Sequence, residues 1–284
     1  VNLYGSLSKT GKGHGTDRVL YEVLAPAKVE VLFSDEIPEG MTHPNTLDFF
    51  ALKEGKEIGR MRAASIGGGD IRIEGRQEPE EEEVYPENSF AEVEEFCRFR
   101  SLDLAEYVFL TEKPGIREFL AGVWNQMKQT IKEGLETEGY LPGPLKVERK
   151  AMKLYDFEME HFHPQVEECR LISAYAYATA EQNADCGTVV TAPTCGACGV
   201  VPAAFLYVQK RRNLSDEEMV KGLAVAGLIG NLIKHNASIS GAECGCQAEI
   251  GSACAMAAAG LDYLYGLSTN QSSMPLRLHS SIRG

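Results

Sequence analysis

The run R-Q-E-P-E-E-E-E-V-Y-P-E-N at positions 76–88 cuts this chain in two. Its clustered carboxylates repel one another and its prolines remove backbone donors. Such a segment cannot enter a packed core, so it reads as a solvated acidic linker rather than an interaction tail. Whatever folds must fold on either side of it.

The stretch before the linker reads as mixed α/β. T-D-R-V-L-Y-E-V-L suggests a short helix behind a glycine-rich loop. V-E-V-L-F, L-D-F-F-A-L, R-M-R-A-A-S-I and I-R-I have strand character. K-E-G-K between two of these runs predicts a hairpin turn, and G-G-G at 67–69 a turn or bulge.

Beyond the linker the period changes from two to 3.6. Ser89 followed by Glu92 is a capping-box pattern, and Ser215 with Glu218 is another, opening a helix through Leu232. After Pro114, a helix is expected with Ile116, Phe119, Val123, Met127, Ile131 and Leu135 on its buried face. Trp124 borders that stripe and reads as packing. E-G-Y-L-P-G-P-L-K marks a second boundary, and T-V-V-T at 188–191 is a short strand-like entry to a loop. A-C-A-M-A-A-A-G-L-D-Y-L reads as a close-packing helix. The expected fold class is α+β. A small mixed α/β domain (1–75) and the acidic linker (76–88) precede a helical connector (89–150) and a mostly helical domain (151–284).

The 284 residues carry a net charge of −13 and 44% hydrophobic residues. The acidic balance argues against nucleic acid as a partner. The longest apolar run, Met219–Ile233, is interrupted by Lys221 and Asn231 and is too short for a membrane span. The first residues lack a signal-peptide core and an initiator Met, so the chain is read as a fragment or a processed product. Eight unevenly spaced cysteines without a secretory signal indicate cytoplasmic thiols or metal ligands, not a disulfide framework.

Three segments could carry chemistry. In T-G-K-G-H-G-T-D (10–17), alternating glycines allow close backbone approach, and Thr16 or Asp17 can cap the following helix, whose free N–H groups favour an anion. Lys12 and His14 add a charge and an imidazole. It is not a Walker loop, because G-K is followed by Gly. The alternative is a plain glycine turn. T-A-P-T-C-G-A-C-G-V-V-P-A (191–203) leads into an apolar helix, another N-terminus suited to a carboxylate. Its Cys195 and Cys198 form a C-x-x-C that is redox-active, half of a metal site, or two small residues in a tight loop; the spacing favours the last. G-A-E-C-G-C-Q-A-E-I-G-S-A-C (241–254) places Cys244, Cys246 and Cys254 in a small-residue helix. A Cys₄ zinc site with Cys195 and Cys198 and an iron–sulfur cluster both remain open. Cys97, Cys169 and Cys186 read as isolated buried thiols.

Taken together, several segments resemble the iron–sulfur-dependent bacterial L-serine dehydratases (L-serine ammonia-lyases) of the single-chain type. They are L-Y-G-S-L-S-K-T-G-K-G-H-G-T-D, H-P-N-T-L, S-I-G-G-G, G-L-E-T-E-G-Y-L-P-G-P-L-K-V-E-R, V-V-T-A-P-T-C-G-A-C-G-V-V-P-A and N-A-S-I-S-G-A-E-C-G-C-Q-A-E-I-G-S-A-C-A-M-A-A-A-G-L. They run in family order from residue 1 to about 271.

The resemblance implies an N-terminal β-type domain, a catalytic α-type domain, and a [4Fe–4S] cluster held by three cysteines with one iron open as a Lewis acid, without pyridoxal phosphate. It implies L-serine as substrate, pyruvate and ammonia as products, a role in serine catabolism and gluconeogenesis, and a cytoplasmic homodimer. Carried over by motif, Cys246 is a cluster ligand. Lys12, Thr16, Thr191 and Thr194 are substrate-contact candidates, and His14 is the acid/base candidate.

Two departures accompany the resemblance. The family's S-S-S-H-T motif would precede residue 1, and its other two cluster cysteines would follow Cys246 beyond Gly284. With one of three ligands, these 284 residues are expected not to assemble an intact cluster in the family's mode. From about residue 272 the tail S-S-M-P-L-R-L-H-S-S-I-R-G is read as a frameshift product, because codons for M-P-L-R-L-H-S-S-I can also encode the family's A-A-E-I-A-L-E-H in another frame. The coding DNA decides that point. Two alternatives to a serine dehydratase stand beside it: a non-catalytic remnant binding a small amino or hydroxy acid, and a related cysteine-desulfurating lyase.

Overall fold

The computed structural model describes residues 1–67, 70–76, 84–143, 145–157, 163–237, 239 and 246–267. The expected frameshift tail lies outside them. The chain forms two compact units, one comprising Val1–Glu81 with Pro142–Pro144, the other Glu82–Leu141 with Leu145–Gly284. Together they make an α+β protein, as the change of period predicts.

The first unit is a five-stranded sheet with two helices. Its strands are β1 (Asn2–Leu3), β2 (Leu32–Phe33), β3 (Thr46–Lys53), β4 (Lys56–Gly67) and β5 (Asp70–Ile73), in the order β2-β1-β3-β4-β5. β1 and β2 are parallel and the other pairs antiparallel. Of V-E-V-L-F, only Leu32 and Phe33 pair, because β1 offers only Asn2 and Leu3 as partners. K-E-G-K makes the β3–β4 turn with φ of 51° at Glu54 and 76° at Gly55. Positive φ at both central residues matches the strand twist. Gly68 and Gly69 of G-G-G lie outside the described residues.

One buried charge organises this sheet. Asp48 on β3 faces Arg62 across the ladder and is fully buried. Its carboxylate accepts hydrogen bonds from Arg62 Nε at 2.7 Å, Arg62 Nη2 at 2.9 Å and Arg60 Nη2 at 2.7 Å. The Arg62 hydrogen bond, aided by Arg60, outweighs desolvation and holds the Asp48 carboxyl below its ordinary range.

Helices α1 (Gly5–Thr10) and α2 (Thr16–Val23) flank the turn at 11–15. Three of the segments that carry the resemblance meet beside them. Tyr4 N–H donates to Thr46 O, Ser6 N–H to Pro44 O, and Ser65 N–H to Asn45 O. Gly5 has φ of 57°, and a Cβ there would collide with the Pro44 carbonyl. Glycine is therefore what lets L-Y-G-S lie against H-P-N-T.

The second unit is helical. Its elements are α3 (Phe90–Arg100), α4 (Leu104–Thr111), α5 (Ile116–Leu135), α6 (Ala151–Tyr155), α7 (Pro164–Ala184), a 3₁₀ turn (Cys195–Ala197), α8 (Val200–Arg212), α9 (Asp216–Asn236) and α10 (Cys246–Leu264). Both expected capping boxes form, and Asp103 with Glu106 makes a third at α4. Helix α9 runs four residues past Leu232, with Lys234 and His235 in its last turn. T-V-V-T forms no strand.

Met127 and Ile131 of the expected α5 stripe are buried and Val123 and Leu135 pack against the core, but Phe119 does not. Phe119 is 65% exposed, whereas Trp124, Met127, Thr130 and Ile131 are buried. Helix α5 packs on α7 and α9, and Trp124 rather than Phe119 enters the core. Trp124 packs near Phe205 and donates from Nε1 to Asp216 Oδ1 at 3.1 Å, so it is a core residue with its polar atom satisfied.

Small residues set the other crossings. A Cβ at Gly260 on α10 would collide with the Phe205 ring and the Gly222 carbonyl, and one at Gly230 would meet Met256. Helices α9 and α10 therefore approach closely, as the Ala/Gly-rich sequence predicts. No helix among the described residues is long and apolar enough to cross a membrane.

Candidate active site

The glycine-rich turn of the first unit is held by its own backbone. Gly11 N–H donates to Leu7 O, His14 N–H to Thr10 O, Gly15 N–H to Lys12 O and Thr16 N–H to Gly11 O. Those four donors are engaged inside the turn rather than presented to an anion. Neither Thr16 nor Asp17 caps α2; its N-cap is Gly15, with φ of 68° and no side-chain cap bond. Lys12 and His14 are exposed and Thr16 half-buried. A groove of about 320 Å³ elsewhere in this unit is lined in part by Thr42, Thr46, Arg62, Arg72 and Arg76, and by none of Lys12, His14 or Thr16.

The second candidate loop is built differently. It leaves α7 at Gly187, whose N–H donates to Gln182 O at 2.8 Å. The buried Thr130 hydroxyl of α5 donates to Thr188 O at 2.8 Å, and Asn183 Nδ2 of α7 donates to Cys195 O at 3.2 Å. At its far end Gly199 lies so close to α7 that a Cβ would sit 2.9 Å from Ala176 O. Side chains and backbone of neighbouring helices thus fix the loop from both sides.

Thr191 is exposed at its start. Thr194 is 8% exposed, and its Oγ1 is buried without a hydrogen-bond partner among the described residues. Leaving a hydroxyl so placed costs about 1–3 kcal/mol. An orphaned hydroxyl in a tightly fixed loop marks a place where a ligand group would complete the bonding.

The 3₁₀ turn after Thr194 packs on the first turn of α10. The Glu249 carboxylate lies over Gly196, with Oε2 2.8 Å from the position a Cβ would take. Cys246 begins this helix, one turn before Glu249. Cys246, the cluster ligand that the family resemblance implies, thus occupies the first position of the 19-residue helix that carries Glu249, on which the turn after Thr194 packs. Among the described residues, no group of three His, Cys, Asp or Glu side chains forms a metal site. Cys244 and the Cys246 side chain lie outside that description, so the Cys₄ arrangement does too.

The remaining thiols sort by environment. Cys198 is buried and pushed up to about 11, chiefly by desolvation. Cys195 is also raised, by burial first and the Glu249 charge second. Both shifts disfavour the thiolate that redox chemistry needs. Cys97 is buried as expected; Cys169 is exposed and Cys186 half-buried. Cys169 is exposed near the start of the long helix α7, and Cys186 sits in the turn ending it. Cys254 is likewise exposed, although its neighbours Ser252, Ala253 and Ala255 are buried.

Three polar residues not singled out by motif now enter. Glu249 and Asn183 touch the fixed loop. His43 in H-P-N-T-L accepts the Asn45 N–H at Nδ1, 3.1 Å, which places a neutral ring's proton on Nε2. Glu249 could have been noticed as the acid of G-C-Q-A-E, three residues after Cys246; Asn183 carries no spacing signal.

The family model described as the serine dehydratase alpha chain matches residues 51–279. L-serine dehydratase 2 of Escherichia coli K12 is 36% identical over 95% of this chain and 70% of its own length. The L-serine dehydratase of Haemophilus influenzae is 36% identical over 94% of this chain and 69% of its own length. That of Streptomyces coelicolor is 34% identical over 95% of this chain and 70% of its own length. The match runs through the α5–α10 helices, the fixed T-A-P-T-C-G loop and the Cys246 helix start, and the chain belongs to the L-serine dehydratase family.

Proposed function

We infer that this chain catalyses the dehydration of L-serine to pyruvate and ammonia. The observation that carries the reading is the identity of 36% over 95% of the chain to an L-serine dehydratase. In the reaction a base removes the Cα proton and the β-hydroxyl leaves with a proton as water. The resulting 2-aminoacrylate tautomerises to the imine, and water replaces nitrogen to give pyruvate and ammonium. The carbon oxidation levels balance internally, so no external oxidant is needed.

A [4Fe–4S] cluster bound at Cys246 would supply a Lewis acid to the departing hydroxyl. Pyridoxal phosphate is not part of this proposal. The chain's own residues bind and orient. Thr194 offers a buried hydroxyl already stripped of competing partners, so bonding to substrate costs little further desolvation. Thr191 offers a second hydroxyl three residues earlier. For the Cα proton we propose His14, with Lys12 and Thr16 as contacts for the substrate carboxylate, because the 11–15 turn holds the first two exposed. The free thiols of Cys97, Cys169, Cys186, Cys195, Cys198 and Cys254 suit a reducing compartment, and we place the enzyme in the cytoplasm as a homodimer.

The test is stoichiometry on anaerobically purified protein. L-serine should give pyruvate and ammonium in equal amounts. Faster pyruvate formation from L-cysteine, with sulfide released, would instead make the chain a desulfurating lyase.

A further inference from the structure

L-serine is a zwitterion, yet the residues assigned to it so far are an amine, an imidazole and three hydroxyls. None carries the negative charge that its α-ammonium group calls for. Resting on the dehydratase reading, we propose that Glu249 receives the α-ammonium of L-serine and so makes the enzyme selective for amino acids over hydroxy acids.

The geometry around Glu249 supports this. Its carboxylate lies against Gly196, with Oε2 at 2.8 Å, Cδ at 3.5 Å and Oε1 at 3.8 Å from the position of an added Cβ. Gly196 is the middle residue of the 3₁₀ turn that Thr194 introduces. The carboxylate therefore lies against a glycine two residues after the orphaned Thr194 hydroxyl, on the same short turn. That turn is held from behind by Asn183.

Glu249 is half-buried, so its carboxylate is partly desolvated but still reachable from solvent. None of the ion pairs among the described residues involves it, although several carboxylates elsewhere in the chain are paired with Arg or Lys. A partly desolvated carboxylate on the turn that follows an unsatisfied buried hydroxyl calls for donors from a ligand. An ammonium supplies three N–H donors and the complementary charge. The position of Glu249 one turn after Cys246 puts this charge on the element that begins with the proposed ligand.

A purely local role would be favourable interaction with the positive end of the α10 dipole. That role would not discriminate between ligands, and the experiment exploits the difference. Binding of L-serine and of 3-hydroxypropionate, the same hydroxy acid without the ammonium, is measured by calorimetry on anaerobically purified protein. Wild type is compared with Glu249→Gln, alongside iron content and melting temperature.

The expected result is a rise of at least about tenfold in the Kd for L-serine. The Kd for 3-hydroxypropionate should stay within about twofold, with iron content unchanged. Equal weakening of both ligands, or of neither, overturns the proposal, and so does a fall in iron content, which would make Glu249 a metal ligand. Should Glu249→Gln fold poorly, Gly196→Ala displaces the carboxylate from the other side and must give the same selective loss. A wild-type protein that neither binds nor dehydrates L-serine fails at the underlying reading, which is a separate result from loss of selectivity in the variants.

Discussion

The two glycine-rich loops look alike in sequence and are supported in opposite ways. The 11–15 turn closes on itself, with the N–H groups of Gly11, His14, Gly15 and Thr16 bonded inside it. The 188–199 loop is gripped by Thr130 and Asn183 from α5 and α7, and it leaves Thr194 Oγ1 unpartnered. Each loop mirrors its unit. The first unit rests on a buried charge and backbone stitching, the second on close helix crossings made by small residues. A self-satisfied turn presents side chains. An externally held loop can keep a buried polar atom unsatisfied, because the surrounding helices supply the stability that the atom forfeits.

This contrast can be broken at its strongest point first. Asp48→Asn leaves Arg62 largely buried beside a neutral amide, and removing one partner of such a pair costs about 3–5 kcal/mol. Urea unfolding should show the first unit melting early while the helical unit keeps its midpoint. The pH dependence has a definite sign. Because the folded carboxyl is depressed, its contribution is present above the unfolded value near 4 and is lost as pH falls through the lower folded value. Acid should therefore loosen the first unit, and Asp48→Asn should flatten that acid limb.

Next in size is Gly260→Ala, which forces a methyl into Phe205 and the Gly222 carbonyl and should cost about 1–3 kcal/mol in the second unit alone. If both units lose stability together in either experiment, the separation drawn here between their means of support is wrong.

Thr194→Val separates function from stability. It removes an unsatisfied buried hydroxyl while keeping shape, so the melting temperature should hold or rise. Turnover of L-serine should fall about tenfold or more, because the hydroxyl's partner is then the substrate. Lower stability with unchanged turnover would make Thr194 structural. The smallest effect is expected from Lys12→Ala. Its exposed side chain should leave stability within about 0.5 kcal/mol, while KM for L-serine rises if it meets the substrate carboxylate.

Local signals were legible in the sequence. The capping boxes at Ser89 and Ser215 and the K-E-G-K turn are fixed by residues three or fewer apart, and all three formed. The α5 stripe was harder, since a 3.6-residue period leaves two adjacent faces open and only the neighbours α7 and α9 choose between Phe119 and Trp124. The Glu249–Gly196 and Asn183–Cys195 contacts join distant elements and have no spacing to read. The family was visible because its motifs are short, contiguous stretches of chain, yet which motif residues lose their hydrogen-bond partners depends on packing.

The central claim is that Cys246 holds the iron on which L-serine dehydration depends. The most direct measurement compares wild type and Cys246→Ser after identical anaerobic reconstitution, reading iron, acid-labile sulfide and pyruvate formation together. Wild type should carry iron and sulfide short of the four of each that an intact cluster needs and convert L-serine in proportion to them, and Cys246→Ser should lose both the metal and the turnover while keeping its fold. Serine dehydration that persists in iron-free protein, or in Cys246→Ser at the wild-type rate, would contradict it.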